Sequence, residues 1–370
     1  MAKIGVVGIG RLGLCFALNL ERVGFDVFGV DSNADYIQSI QSKTLTSNEA
    51  HVEYFLRESE YLSVSTELKL VLDPDIQLIF ICVPTPSKPD GSFDHSYIDK
   101  VCDEILKFDR PEKEKHLIIN STVMPGYCDS LHERMNQHGY SVSYNPEFIA
   151  QGTIIEDQQF PDQVLIGQAN EEVGNEIEAI YRCFCQSEPR FSRMSRTEAE
   201  ITKLAINCFL TTKIAFANSI GDLTIEHGGN QDNVLAAIGA DARIGPNFLA
   251  YGFGYGGPCL PRDNRAMRKA AKQVNLELPI SEATDRANGL HRDFQREAFE
   301  QSYSKEEQIV FSGLTYKPDS DIIVESQRLE LAIDLAREGY SVLLKDRVEV
   351  IDQIRTIHQD LFVYEILTDD

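Results

Sequence analysis

Short apolar runs alternate with helical periodicity over the first half of the chain. Lys3-Ile4-Gly5-Val6-Val7 reads as a buried strand; Leu14, Ala17, Leu18 and Leu20 follow at helical spacing, and a second strand runs from Asp26 to Val30. Further strands are predicted at Leu78–Val83, Leu117–Ser121, Ser141–Tyr144 and Val164–Ile166, with helices near Ser96–Phe108 and Glu171–Cys185. Alternation of this kind to about residue 193 predicts a doubly wound parallel sheet. The pattern then changes. Residues 196–228 keep helical periodicity without a proline or a strand signal, which predicts one long helix bridging domains, and helical patterning continues to about Tyr303. A strand at Ile309–Gly313, a helix at Glu325–Arg337 and a strand at Ser341–Leu344 predict a second, small α/β unit. The expected fold class is α/β in three parts: residues 1–195, a central helical part 196–303, and a short C-terminal part 304–370.

Between the first strand and the first helix lies Gly8-Ile9-Gly10-Arg11-Leu12-Gly13. In that position the glycines have separate uses. Gly8 allows a tight turn, Gly10 admits a pyrophosphate to the helix N-terminus, and Gly13 lets helix and strand pack closely. Asp31 ends the second strand, where a carboxylate binds adenosine ribose hydroxyls and repels a 2′-phosphate. The first part is therefore expected to be a Rossmann-type domain using NAD rather than NADP.

Composition narrows the partners. A formal charge of −23 over 370 residues argues against nucleic acid and requires any anion site to be locally focused. No apolar run reaches membrane-spanning length, and the N-terminus enters a strand directly, so a cytoplasmic protein with no leader and no membrane partner is expected. The eight cysteines show no zinc spacing and no C-x-x-C pair, so no metal is expected. Cys183 and Cys185 have the spacing of a redox pair, but ordinary packing is the commoner fate.

The strongest chemical signal is Gly252-Phe253-Gly254-Tyr255-Gly256-Gly257-Pro258-Cys259-Leu260-Pro261-Arg262-Asp263. Four glycines in six positions precede a cysteine, Pro261 suits a first helical turn, and a carboxylate follows four residues after the thiol. A cysteine at a helix start sits in partial positive charge that favours thiolate. Val83-Pro84-Thr85-Pro86, Ser121-Thr122-Val123-Met124-Pro125-Gly126 and Asn145-Pro146-Glu147-Phe148 each follow a strand at its carboxyl end, where open α/β sheets bind ligands. Glu147 is a candidate general base there, or a solvated loop acid. Lys203 and Asn207, four apart on the long helix, share a face and suit an oxyanion, or are a surface pair.

These motifs, together with Glu200-Ile201-Thr202-Lys203, Arg243-Ile244-Gly245 and Gly313-Leu314-Thr315-Tyr316-Lys317-Pro318, occur in an order that resembles the UDP-glucose/GDP-mannose dehydrogenase family from residue 1 to about 345. The resemblance implies an N-terminal NAD domain, a long central helix forming a homodimer, and a C-terminal nucleotide-sugar domain. It implies four-electron oxidation of a nucleotide sugar at C6, with UDP-glucose the default substrate, for polysaccharide synthesis. Cys259 would form a thiohemiacetal and then a thioester, Lys203 and Asn207 would hold the oxyanion, and Glu147 would serve as acid/base with Thr122 and Asp263 positioning water. Gly8, Gly10, Arg11, Leu12, Gly13, Asp31, Val83, Pro84, Thr85, Ser121 and Thr122 would bind cofactor. Phe148, Ile149 and Gly152 would cradle the diphosphate with Lys317, Tyr251, Gly252 and Gly256 would line the sugar pocket, and Arg243 would reach the neighbouring subunit's substrate.

The chain departs from the family's pattern at Ile149-Ala150-Gln151-Gly152, where two charges are missing, at Pro258 and Arg262, and at Val324, where a phosphate-binding arginine is expected. The C-terminal part, ending at Asp370, reads as a short nucleotide lid. Two other functions fit parts of the pattern. A two-electron β-hydroxyacid-type dehydrogenase would share the Rossmann domain and lysine helix but has no use for Cys259, and a sugar-nucleotide-binding homologue would have lost turnover.

Overall fold

In the computed structural model, which describes residues 2–318 and 320–367, apolar runs become strands wherever helices cover both faces. The chain forms two compact units, Met1–Lys203 and Leu204–Asp370. The first unit holds strands β1 (Lys3–Val7), β2 (Asp26–Val30), β3 (Leu62–Ser65), β4 (Leu78–Ile81), β5 (Lys115–Ile119), β6 (Tyr140–Tyr144), β7 (Gln163–Gly167) and β8 (Arg190–Met194). Its helices are α1 (Arg11–Arg22), α2 (Ala34–Gln41), α3 (Val52–Glu58), α4 (Ser96–Ile105), α5 (Tyr127–Asn136), α6 (Ile154–Gln159) and α7 (Glu171–Phe184). The sheet order is β3-β2-β1-β4-β5-β6-β7-β8. Order reverses beside β1, between β2 and β4, and such a switch point opens a crevice at the strands' carboxyl ends.

Successive β4 residues explain the unbroken apolar runs. Leu78 and Phe80 join a core with Phe16, Leu20, Tyr181 and Phe184, whereas Ile79 and Ile81 join another with Ile98, Cys102, Leu131 and Met135. One step departs from the all-parallel expectation. β7 meets β6 antiparallel through the single pair Tyr144–Gly167, and β8 runs parallel to β7. Residues 145–162 carry only the short α6, so the connection never returns across the sheet as a parallel neighbour requires.

Helix α8 (Arg196–Glu226) is the predicted long helix, 31 residues without a break. It begins in the first unit and continues into the second. There follow α9 (Gln231–Gly239), α10 (Leu260–Gln273), α11 (Pro279–Ser302), β9 (Gln308–Ser312), α12 (Gln327–Arg337), β10 (Ser341–Asp346), α13 (Val348–His358) and β11 (Val363–Ile366). The three strands form a parallel sheet, β11-β10-β9, over a core of Ile309, Phe311, Leu331, Leu335, Ile351 and Ile354. The expected helix start at Glu325 moves to Gln327. Ser326 is the N-cap, its hydroxyl accepting from the Leu329 N–H, and Glu325 has φ +49°, which no α-helix admits. Among the described residues no helix is long and apolar enough to cross a membrane.

Candidate active site

The glycine loop of the first unit is shaped by what a side chain would strike. Gly8 has φ +85°, and a Cβ there would meet the Cys82 carbonyl, while its own N–H is held by Val30 O at 2.7 Å. A Cβ on Gly13 would collide with the Gly8 carbonyl. Gly10 differs: nothing lies within 4 Å of its Cβ position. Gly8 and Gly13 thus serve the fold, and Gly10 leaves room over the start of α1, where a pyrophosphate would meet backbone N–H groups. Asp31 lies just past β2, with Oδ1 accepting from Asn33 N at 3.0 Å. This donor set and clearance fit NAD, with Gly10, Arg11 and Leu12 at the helix start and Asp31 at the ribose end.

The neighbouring strand ends are tied together. Ser121 Oγ donates to Val83 O at 2.6 Å, and Thr85 Oγ1 donates to Thr122 O at 2.7 Å. Asn120 Nδ2 donates to Asn145 O at 2.6 Å, and Asn145 Nδ2 donates to Leu165 O at 2.9 Å. The loops after β4, β5 and β6 therefore share one framework, as the motif order suggested. β4 ends at Ile81, and Pro84, which has no backbone N–H, lies in the loop just before Thr85. No spacing rule in the sequence marks Asn120 or Tyr181, because the bond between Asn120 and Asn145, 25 residues apart, is created only by the sheet.

Glu147 Oε1 and Asn145 Oδ1 each lie 2.8 Å from Tyr181 Oη. One phenol proton cannot serve both oxygens. Burial pushes the Glu147 carboxyl above its ordinary value, against the bonds from Tyr181 and Asn120 and the Lys203 charge. Lys203 Nζ donates to the Glu147 carbonyl at 2.5 Å and sits 4.2 Å from the centre of the Phe148 ring. Glu147, Phe148 and Lys203 are thus brought together within the first unit. The start of α8 is anchored there too, since buried Glu200 accepts from Gly126 N at 2.5 Å and Cys128 N at 2.8 Å.

After Phe148 and Ile149 the chain turns at Gly152 (φ +97°). The Gly152 N–H donates to Glu49 Oε2 at 2.8 Å, and Arg11 Nη1 donates to Gln151 Oε1 at 2.7 Å. Gln151 is one of the departures from the family pattern, and here it engages the first residue of α1.

In the second unit Cys259 is the N-cap of α10, with Pro261 in the first turn, and its side chain is exposed. The other thiol nearby, Cys208, is pushed up to about 12 by burial and the Asp263 carboxylate. Asp263 is 1% exposed; it accepts from Asn207 Nδ2 at 2.6 Å and Arg262 Nε at 3.2 Å. The loop before the thiol is pinned by its main chain. Gly257 N donates to Val324 O at 3.0 Å, and its Cβ position at φ +83° is taken by the Tyr316 ring. A Cβ on Gly256 would strike the Glu325 carbonyl. Val324, where an arginine was expected, is exposed and contributes its carbonyl.

Tyr251 and Gly252 are held by a network with no sequence signal. Tyr251 Oη donates to Asp222 at 2.8 Å, Gly252 N donates to Asn218 Oδ1 at 3.1 Å, and the His291 ring spans Asp222 and Gly252 O at 2.8 and 2.6 Å. Lys317 is half-buried, its carbonyl accepting from Thr315 Oγ1 at 2.8 Å. Arg243 is 88% exposed and paired with Asp241.

Comparison with known proteins identifies the family. The family model for the NAD binding domain of the UDP-glucose/GDP-mannose dehydrogenase family matches residues 2–185, and that for its central domain matches residues 197–289. The chain is 32% identical to a GDP-mannose 6-dehydrogenase of Pseudomonas aeruginosa over 93% of its length and 81% of the relative's. It is 29% identical to a UDP-glucose 6-dehydrogenase of the same organism, over 94% and 79%. A solved UDP-glucose dehydrogenase from Pyrobaculum islandicum superimposes with a TM-score of 0.90 at 29% identity, covering 100% of this chain and 86% of that one. Fold, glycine loop and family match converge: the chain belongs to the UDP-glucose/GDP-mannose dehydrogenase family and carries its NAD-binding domain.

Proposed function

We propose that the protein oxidises the C6 alcohol of a nucleotide sugar, UDP-glucose foremost, to the carboxylate, with Cys259 carrying the second half of the reaction. The observation that supports this most is the exposed thiol at the start of α10, one turn from a buried carboxylate bonded to Asn207. A two-electron dehydrogenase would have no use for it. Bound NAD supplies the hydride acceptor at each of the two oxidations, held by Gly8–Gly13, Asp31, Val83, Pro84, Thr85, Ser121 and Thr122.

The chain's own groups do the rest. The Cys259 thiolate adds to the C6 aldehyde, forming a C–S bond and an oxyanion. Lys203 and Asn207, one turn apart on α8, stabilise that oxyanion. After the second oxidation the acyl group is a thioester. Glu147 takes a proton from water positioned by Thr122 and Asp263; water adds, the C–S bond breaks, and the thiol regains a proton. The backbone of Phe148, Ile149 and Gly152, with Lys317, holds the diphosphate, and Tyr251, Gly252 and Gly256 line the sugar pocket.

A homodimer through α8 belongs to the same proposal. Phe209, Phe216 and Leu223, seven apart, are 66%, 48% and 56% exposed, an apolar stripe suited to a second copy. Arg243 would then reach the partner's substrate. A three-part division at about 195 and 303 belongs to the same proposal, its first boundary favoured by the interval between the two family matches, as does residence in the cytoplasm.

The test is NADH formed per nucleotide sugar consumed. Two per UDP-glucose, with the acid lost in Cys259→Ala, is the expected result. One per substrate, indifferent to that change, would instead identify a simple dehydrogenase. Thermal stabilisation by nucleotide sugars without any NADH would identify a binding protein.

A further inference from the structure

Glu49 belongs to none of the motifs above, yet it is 3% exposed and sits between two of them. Its Oε2 accepts from Gly152 N at 2.8 Å and Ile154 N at 3.3 Å, and Ala50 N donates to Gly152 O at 3.3 Å. These bonds hold the turn that ends the Phe148–Gly152 segment. Its other oxygen, Oε1, is buried and makes no hydrogen bond. The group nearest in kind is Arg11 Nε, 3.7 Å away, too far for a hydrogen bond but within ion-pair range. Arg11 already reaches the same segment through Gln151, at 2.7 Å. A buried carboxylate oxygen without a donor is costly, so a small approach of Arg11 would be favourable.

We infer that Glu49 is a positioning residue that couples the dinucleotide loop to the Phe148–Gly152 segment: fixing Arg11 at the start of α1 closes the Arg11–Glu49 gap and tightens the turn at Gly152. This rests on reading that segment as the sugar-nucleotide cradle, but the coupling itself needs only NAD. An anion over the Gly10–Leu12 backbone holds the adjacent guanidinium in place and so lowers the entropy lost when Glu49 closes on it. By linkage, whatever binds the cradle then strengthens NAD binding by the same factor. Gln151 suits this role. As a neutral acceptor it engages Arg11 without competing, as a second carboxylate would, for the charge that Glu49 requires.

The test is hydrogen exchange of residues 148–156 in the full chain, with and without NAD, each variant at saturation by its own measured Kd. In the wild type NAD slows exchange there roughly tenfold, within the usual range of coupling between sites. Arg11→Ala and Glu49→Gln abolish that slowing, and Arg11→Lys restores part of it. Arg11→Ala changes a 41%-exposed side chain, so it keeps the test intact should the buried Glu49 variant fail to fold. Equal NAD-induced slowing in wild type and Arg11→Ala overturns the inference, as does a wild-type segment indifferent to NAD. Failure of the functional reading shows separately, as no NADH from any nucleotide sugar.

Discussion

In the first unit the strand-end loops are tied to one another before any ligand arrives, through Ser121–Val83, Thr85–Thr122 and Asn120–Asn145, and their one candidate acid, Glu147, is bonded to Tyr181. In the second unit the loop bearing Cys259 is held by main-chain contacts at Gly256 and Gly257 and ends on an exposed thiol. Burial tunes a proton carrier by penalising its charged form. A nucleophile has the opposite need, to be reached by substrate. The first region is therefore expected to resist change in its framework, and the second to tolerate loss of its thiol but not of its backbone shape.

The sharpest test of that contrast is Cys259→Ala. Formation of the acid should fall by about a thousandfold or more, while the unfolding free energy moves by less than about 0.5 kcal/mol. A large loss of stability would mean the thiol packs rather than reacts. Next come two glycines of one motif. Gly8→Ala meets the Cys82 carbonyl at φ +85° and should cost about 3 kcal/mol or more, read as a lowered Tm. Gly10→Ala meets nothing within 4 Å, so it should leave Tm nearly unchanged and weaken NAD binding by calorimetry. Equal losses of Tm would erase the distinction between a glycine for the fold and one for the ligand.

The third prediction concerns Glu200, which ties α8 to the start of α5. Burial raises its carboxyl from 4.5 to about 7, against the bonds from Cys128 and Gly126. A raised folded value means the native state holds its proton longer than the unfolded chain. The stabilisation is complete below pH 4.5 and is lost as pH rises through about 7. Denaturant unfolding across that window should show Glu200→Gln gaining on the wild type, by on the order of 3 kcal/mol at most. A gap that moves the other way would mean that the ionised carboxylate is the preferred cap. The smallest effect is expected for Asn207→Ala, which removes one donor from buried Asp263 but leaves Arg262. It should cost about 1–2 kcal/mol in stability. If Asn207 also serves the oxyanion, kcat falls with it.

Local pattern made much of this protein legible. The apolar runs of β1, β4 and β5 announced strands covered on both faces, and Gly8, Gly10 and Gly13 announced a dinucleotide turn, because both signals lie within a few consecutive residues. Cys259 at a helix start was readable from Pro261 for the same reason. Other features escaped. β3, β8 and β11 are short and mixed in character, the antiparallel step at β7 depends on where a connection runs, and the start of α12 turned on the backbone of Glu325. No spacing rule links Tyr181 to Glu147, His291 to Gly252, or Glu49 to Gly152, which are 34, 39 and 103 residues apart. The sequence by itself thus determined which chemical groups the protein possesses and the local frame of each, since helix, strand and turn are decided by neighbours along the chain. Only the tertiary structure decided which of those groups are buried, shared or left short of a partner, because burial and pairing depend on segments that meet only once the chain has folded.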